Sequence, residues 1–289
     1  MIRKIIKGFN EIREILFIFL KNYLNEKDVR YAFNVSLFHL LWETKCGKFI
    51  IRKLDGLKIF YPVFIEIEVT TRCNLKCIIC EHTYWNEPVR DMSFEEFKKI
   101  VDQFPYLCWI GLTGIGESFL NKDFIKMLEY VKKKKIFVEL YDTFYFIDGK
   151  IAEKLIKIKI DRIFASIDAA EKDTYEKIRV GSDFNKVLNN IEYLFKLKKD
   201  RNSKYPIIDF HFIVNKINYN QIPKFIEMVD KIRYGFSTTI QFTKMLHNFP
   251  EIENLFTEIS PEIIKDAEVV AKNRKVTLVW NQNVPIEKP

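Results

Sequence analysis

The chain has 289 residues with 48% hydrophobic content, enough for one large α/β domain with a sizeable core, which excludes a disordered protein. Five cysteines without an even framework of spacings exclude a disulfide scaffold, so we expect reduced thiols in a cytoplasmic protein. The net charge of +8 comes from basic residues scattered along the chain, which is compatible with an acidic partner. We expect no nucleic-acid binding.

The first residues predict an amphipathic helix with a basic start. Two glutamates interrupt its apolar part, which argues against a signal peptide. The apolar run 15–20 is too short to cross a bilayer, which takes about 20 residues. Two interpretations remain. The helix packs on the protein, which a second apolar helix over 29–42 favours, or it makes peripheral membrane contact with Lys4, Lys7 and Lys21 toward lipid headgroups.

From residue 64 onward, short β-branched and aromatic runs alternate with longer segments of helical spacing. The predicted strands cover 64–70, 109–113, 136–141, 162–168, 207–214 and 238–242. The predicted helices between them cover 93–104, 122–134, 149–158, 183–198 and 222–232. Strand followed by helix, repeated about six times, builds a parallel sheet that suits a barrel or an incomplete one.

We predict three parts of the chain: an N-terminal helical extension (1–60), a core barrel (61–245), and a C-terminal loop, helix and strand (246–289). The last helix is opened by Ser260 and Pro261, and the last strand covers 276–280. In a parallel α/β barrel the chemistry gathers at the C-terminal ends of the strands.

Three of the five cysteines follow the first predicted strand directly. Cys73, Cys77 and Cys80 can occupy three corners of a metal site and leave the fourth open. Zinc is the alternative, with His82 close enough in sequence to be a fourth ligand.

The spacing resembles the signature of the radical S-adenosylmethionine (radical SAM) superfamily, with three residues between Cys73 and Cys77 and two between Cys77 and Cys80. The resemblance implies an α/β fold, a partial (β/α)6 TIM-like barrel with an N-terminal helical extension. It also implies a 4Fe-4S cluster on the three thiolates, whose open iron chelates S-adenosyl-L-methionine. The implied activity is reductive cleavage of S-adenosylmethionine to a 5′-deoxyadenosyl radical that abstracts hydrogen, with an electron donor such as ferredoxin or flavodoxin.

The segment LTGIGES, at 112–118, resembles the glycine-rich segment of this superfamily. There, backbone atoms meet the methionine amino group, which implies that Gly114, Gly116 and Glu117 bind the cosubstrate. The sequence departs from the more common GGEP, so the geometry around Glu117 and Ser118 is left open.

Two later segments also resemble the superfamily. The fourth predicted strand ends FASIDAA, where Ser166 and Asp168 would face the ribose or the carboxylate of the cosubstrate. Arg179 would approach the methionine carboxylate, which its planar guanidinium suits. Asn215, at the end of the fifth strand, is a weaker candidate. Ile79 stands where relatives often carry an aromatic residue near adenine, so apolar packing would replace stacking.

The outline from 64 to 242 most resembles the SPASM-associated branch, whose members modify peptides or proteins. No cysteine follows Cys108, so the cysteine-rich extension of that branch, with its auxiliary clusters, is not expected from these residues. A peptide or protein is therefore the favoured substrate. A lipid or small metabolite is the second enzymatic option and RNA the third, while a non-enzymatic zinc-binding module is the alternative of another class.

No catalytic acid or base is assigned from the sequence. Four titratable residues lie near predicted strand ends, namely Glu117, Asp142, His82 and His211. Tyr84 and Trp85, directly after the cysteines, are candidates for the rim of the substrate site.

Overall fold

A computed structural model of the chain describes residues 13–24, 27–54, 62–86, 88–245 and 250–281. Within these ranges, seven parallel strands form one sheet, whose order follows the chain from β1 to β7. The strands are β1 (Phe64–Glu66), β2 (Trp109–Leu112), β3 (Phe137–Asp142), β4 (Arg162–Ser166), β5 (Ile207–Val214), β6 (Thr239–Lys244) and β7 (Thr277–Asn281).

Helices connect these strands and precede them. They are α1 (residues 13–24), α2 (Val29–Phe38), α3 (Lys45–Leu54), α4 (Phe94–Asp102), α5 (Phe124–Lys133), α6 (Gly149–Ile158), α7 (Lys172–Ile178), α8 (Phe184–Asp200), α9 (Ile222–Ile232) and α10 (Pro261–Arg274). The predicted α/β class with a parallel sheet is confirmed. A capping box opens α4, where Ser93 and Glu96 bond reciprocally.

The first predicted strand, 64–70, is shorter in the structure and ends at Glu66. Ile67 still donates its N–H to the carbonyl oxygen of Gly111 at 2.9 Å, but Thr70 forms an isolated antiparallel bridge with Asp91 instead. The apolar residues that suggested a longer strand include Val69, which is buried outside any strand. At the other end of the sheet, β7 adds a strand beyond the six of the predicted barrel.

Packing divides the chain into two compact units. One comprises residues 1–67, 92–112 and 123–139, and the other comprises 68–91, 113–122 and 140–289. The predicted boundaries between the three parts of the chain lie after residue 60 and after residue 245. Residues 55–61 and 246–249 are outside the described ranges, so both boundaries remain predictions.

The first unit buries a cluster that includes Tyr31, Val35, Trp109 and Phe137, and Ile18 of α1 packs against it. The rings of Trp109 and Phe137 stack with centroids 3.8 Å apart. One face of α1 therefore packs on the protein, as the first of the two interpretations expects. None of the helices in the described ranges has the length and apolar content needed to cross a membrane.

In the second unit, strand alternation separates the core from the candidate site. Phe210 and Phe212 of β5 are fully buried and meet Phe225 of α9, with ring centroids 6.1 and 4.9 Å apart. Successive side chains of a strand point to opposite faces, so His211 and Ile213 point away from this helix. The other face of the sheet carries the residues described next.

Candidate cofactor site

A cavity of about 290 Å³ lies in the second unit, at the C-terminal ends of strands β2 to β6. Cys73, Cys77 and Cys80 all line it. Five of the other predicted site residues also line it, namely Gly114, Gly116, Glu117, Ser166 and Arg179. Ile79 is part of the wall as well. The cysteine loop, the glycine-rich segment and the strand ends thus meet at one cavity, as the resemblance implies.

Backbone hydrogen bonds hold the cysteine loop beside the segment that carries Arg179. Lys76 donates its N–H to the carbonyl oxygen of Val180, and Ile78 donates to that of Ile178, both at 2.9 Å. These two bonds flank Arg179, so its side chain emerges next to the cysteine loop. The pairing joins segments about a hundred residues apart in the chain, which no local sequence pattern specifies.

Arg72 fixes the other side of the loop. Its guanidinium forms a bidentate ion pair with Asp91, at 2.9 and 2.5 Å, and also donates to the carbonyl oxygen of Leu120. Its own carbonyl oxygen accepts the N–H of Glu117 at 2.7 Å. Bidentate pairs hold both partners in a defined orientation. Arg72 therefore ties the start of the cysteine motif to the glycine-rich segment.

The three thiols are free and largely buried. Burial raises the pKa of each, and it raises the pKa of Cys77 to about 12, while the nearby Arg179 cation partly offsets the effect. Without a metal the thiols are therefore protonated at neutral pH. A metal centre bound here must displace three protons, as thiolate ligation requires.

No three His, Cys, Asp or Glu side chains of the described residues converge on a point that could hold one metal ion. His82, the fourth ligand of the zinc interpretation, has its Nε2 atom 3.0 Å from the carbonyl oxygen of Thr71. A structural zinc ion needs four donors around one centre. A four-iron cluster instead binds each thiolate to a different iron atom, so its ligands need not converge.

The glycine-rich segment is held by Glu68, which the sequence analysis missed. Its Oε1 atom accepts the N–H groups of Ile115, at 2.6 Å, and of Gly116, at 3.2 Å. Gly116 lies so close to the preceding loop that an added Cβ atom would come 1.9 Å from the carbonyl oxygen of Thr70. Glycine is required here because backbone meets backbone.

Substituting these two glycines should give unequal losses of stability. In Gly116→Ala the new methyl group meets the backbone of Thr70, which cannot move alone, so we expect a destabilisation of about 2–3 kcal/mol. In Gly114→Ala the methyl group meets the side chain of Glu68, which can move aside by giving up its bonds to Ile115 and Gly116, and a smaller loss of about 1–2 kcal/mol is expected. Urea unfolding of the two apoproteins measures both losses, and equal losses would contradict the argument.

Two carboxyl groups lie together in the cavity wall. Glu117 is 3% exposed and Asp142 is 4% exposed. One oxygen of Glu117 accepts the hydroxyl of Thr143, and one oxygen of Asp142 accepts the N–H of Phe144, both at 2.6 Å. The remaining oxygens, Oε1 of Glu117 and Oδ2 of Asp142, have no hydrogen-bond partner among the described residues. Burial and the neighbouring Glu117 raise the pKa of Asp142 well above its usual value. Such a pair can receive a cationic group.

Arg179 is buried and pairs with Asp168 at 2.7 Å. Asp168 is fully buried and also accepts the N–H of Ile213 at 2.7 Å, and it is not among the residues that line the cavity. The family resemblance implied that Asp168 faces the cosubstrate together with Ser166, on the same face of the predicted strand. The structure places it elsewhere, since β4 ends at Ser166 and the chain then turns Asp168 toward Arg179.

The other residues singled out near the cysteines have contacts of their own. Tyr84 donates its hydroxyl to the carbonyl oxygen of Ile78 at 2.9 Å, which braces the cysteine loop, and Trp85 is 45% exposed. Asn215 is fully buried and accepts the N–H of Ile217 at 2.9 Å, within its own turn. None of Tyr84, Trp85 and Asn215 is among the residues that line the cavity.

Uncharged polar side chains also line the cavity. His211 bonds through Nε2 to the hydroxyl of Thr243 at 2.9 Å, and the ring of Tyr141 meets that of His211 edge to face at 5.3 Å. The Tyr141 hydroxyl donates to Gln241 at 3.3 Å. Burial lowers the pKa of His211 to about 4, so its ring is neutral at pH 7. Tyr141, His211 and Thr243 line the cavity.

The neutral His211 should make the protein less stable in mild acid. The unfolded chain binds a proton near the ordinary pKa of 6.5, whereas the folded chain does so only near 4, so the free energy of unfolding falls as pH drops between these values. From pH 7 to pH 5 we expect His211 to account for a loss of about 2 kcal/mol. Urea unfolding of His211→Gln should lack this part of the loss, and the same loss in both proteins would contradict it.

Comparison with known proteins identifies the family of this chain. The family model of the Radical SAM superfamily matches residues 67–229. A tungsten-containing aldehyde ferredoxin oxidoreductase cofactor-modifying protein of Pyrococcus furiosus is 29% identical over 168 residues, covering 56% of this chain and 46% of that protein. A probable GTP 3′,8-cyclase of Methanococcus maripaludis is 27% identical over 236 residues, covering 78% and 75%.

Among solved structures, Streptococcus suis SuiB bound to S-adenosylmethionine is similar with a TM-score of 0.64 at 14% identity, over 82% of this chain and 54% of SuiB. SuiB bound to its precursor peptide SuiA gives a TM-score of 0.61. At this identity the likeness concerns the fold, a TIM-like barrel. The chain spans about half the length of SuiB and of the Pyrococcus relative. The family model, however, covers more than half of the chain, which therefore belongs to the radical SAM superfamily, enzymes that use a 4Fe-4S cluster and S-adenosylmethionine.

Proposed function

We propose that Cys73, Cys77 and Cys80 hold the 4Fe-4S cluster of this enzyme and that S-adenosylmethionine binds beside it. The observation that carries the proposal is the meeting of three free thiols with the glycine-rich segment at one cavity. The donor set also fits: thiolates are the ligands of iron–sulfur clusters, and the thiols do not converge on a single ion. These cofactors supply one-electron cleavage of S-adenosylmethionine to methionine and a 5′-deoxyadenosyl radical, which takes a hydrogen atom from the substrate.

The cavity wall offers a matching group for each part of the cosubstrate. The methionine amino group donates hydrogen bonds, and the oxygens of Glu117 and Asp142 that have no partner among the described residues suit it as acceptors. Gly114 and Gly116 line the same cavity, so the glycine-rich segment lies within reach of this group. Ser166 and Ile79 would contact the ribose and the adenine.

Arg179 has both a structural role and a binding role. Its charge is already compensated by Asp168, but its Nε atom has no hydrogen-bond partner among the described residues and its side chain lines the cavity. We assign the methionine carboxylate to this free donor. Asp168 then positions Arg179 and does not itself touch the cosubstrate.

For the substrate we propose a peptide or protein. The wall formed by Tyr141, His211 and Thr243 is neutral and offers hydrogen bonds, which suits amide groups. The two cations among the described lining residues, Arg179 and Lys244, are each paired with a carboxylate, at 2.7 and 2.8 Å. A triphosphate would have to compete with these carboxylates. The peptide bound by SuiB supports the same substrate class.

A nucleotide or another small metabolite is the second candidate, favoured by the GTP 3′,8-cyclase among the relatives. A substrate accelerates 5′-deoxyadenosine release by consuming the radical, so GTP and peptides encoded beside the gene should be compared at equal concentration. Acceleration by a peptide supports the first candidate. Acceleration by GTP alone contradicts it.

The cofactor assignment has its own test. Anaerobic reconstitution with iron and sulfide should give a brown protein with broad absorbance at about 400 nm, whereas a zinc protein stays colourless. The reduced protein should then release 5′-deoxyadenosine from S-adenosylmethionine, with ferredoxin or flavodoxin as the expected physiological donor. A colourless protein that still folds would remove the proposal.

A further inference from the structure

The outer face of α1 carries an apolar stripe that the described residues leave uncovered. Leu16, Phe17, Leu20 and Leu24 are 57%, 66%, 53% and 70% exposed. Their spacing of one, four and eight residues places them on one side of a helix. Single exposed apolar residues need no explanation, but four on one face of one helix mark an interaction site.

The same helix is fixed to the protein by its other side. Ile18 packs against the buried cluster of the first unit. The helix is therefore held in place and presents its stripe outward. The twelve described residues span about 18 Å along the helix axis, too short to cross the roughly 30 Å apolar core of a bilayer.

Charge distinguishes between the surfaces that could cover the stripe. Arg13 and Lys21 of α1 are both exposed and flank it. Residues 13–24 and 27–54 together contain eight Lys or Arg and three Asp or Glu. A second copy of the chain would bring these cations against each other in a two-fold contact. An anionic lipid surface instead attracts them while the apolar side chains enter the headgroup boundary.

We propose that α1 is an interfacial helix, which docks this protein on an anionic membrane surface through Leu16, Phe17, Leu20 and Leu24, with Arg13 and Lys21 facing the lipid headgroups. The helix lies in the plane of the membrane, and its inner face stays packed on the protein. The packing and interfacial interpretations thus concern two faces of α1; Lys4 and Lys7, named for the interfacial one, lie outside the described residues.

The test uses full-length reconstituted protein and sedimentation with vesicles. Binding should be strong to phosphatidylcholine mixed with phosphatidylglycerol, weaker to phosphatidylcholine alone, and reduced by salt. Leu20→Glu should weaken binding by about tenfold or more, because it places a carboxylate in the apolar boundary. Lys21→Glu should weaken binding to the anionic vesicles alone.

Val269→Glu is the matched control. Val269 lies on α10 and is 53% exposed, the same fraction as Leu20, so this variant adds the same charge elsewhere and should bind as the unchanged protein does. Circular dichroism confirms that each variant is folded. No binding to either vesicle, or equal loss in Val269→Glu, overturns the proposal. So does a dimer in solution that Leu20→Glu dissociates while vesicles stay unbound, which would assign the stripe to a second copy.

Discussion

Replacing Cys77 by alanine is expected to abolish the absorbance of the reconstituted cluster and to lower 5′-deoxyadenosine release by about a hundredfold or more. Cys77 is the middle thiol of the three and the most buried, 8% exposed. Two thiolates cannot hold three corners of the cluster, and no other described cysteine lines the cavity. The measurement is the anaerobic absorption spectrum together with chromatography of the released nucleoside.

Cys108→Ala is the matched control for this loss. Cys108 is fully buried, but it lies in the first unit, where its thiol donates to the carbonyl oxygen of Val63 at 3.2 Å. Its replacement should cost about 1 kcal/mol of stability and leave the cluster intact. A brown Cys77→Ala protein that still releases 5′-deoxyadenosine would show that the cysteine assignment is wrong.

The second large effect is expected from Asp168→Ala, which should destabilise the protein by about 3–5 kcal/mol. The change leaves the buried Arg179 cation without its partner and also removes the acceptor for the N–H of Ile213. In the double variant Asp168→Ala with Arg179→Met no unpaired charge remains, so a large part of the loss should be recovered. Urea unfolding of the apoproteins gives the free energies of unfolding of the unchanged protein, of Asp168→Ala and of the double variant.

An exposed ion pair provides the comparison. Arg201 and Glu153 lie 3.8 Å apart with 64% and 58% of their side chains exposed, and Glu153→Ala should change stability by less than about 1 kcal/mol. If Asp168→Ala cost no more than Glu153→Ala, the buried pair would not hold Arg179 in place. If the double variant were less stable than Asp168→Ala alone, the loss would not come from an unpaired charge.

Local sequence patterns predicted the elements that build the sheet. The alternation of β-branched runs with helical spacing located every strand, and the bounds of β5, α6 and α9 are those of the prediction. The short helix α7 was missed, since seven residues give too little apolar period to recognise. The first strand was predicted too long because buried apolar residues continue beyond Glu66 into a loop.

The sequence predicted which residues belong to the candidate site better than it predicted the contacts they make. The cysteine spacing and the glycine-rich segment identified residues that the structure brings to one cavity. Glu68, Asp142 and Tyr141 were not assigned a cofactor or substrate contact. The signal available for them was weak: Tyr141 and Asp142 lie at or just after a predicted strand end, where many polar residues are structural, and Glu68 lies inside a predicted strand.

The sequence alone determined the chemistry, because a set of three closely spaced thiols with glycines after the next strand is a local property of the chain. Only the tertiary structure decided which distant groups meet. Glu68 holds the amide of Ile115, 47 residues away, and Asp168 bonds the amide of Ile213, 45 residues away, so that it faces Arg179 and not the cavity. Such contacts depend on where neighbouring strands end and how the loops after them turn, which no pattern within one segment contains.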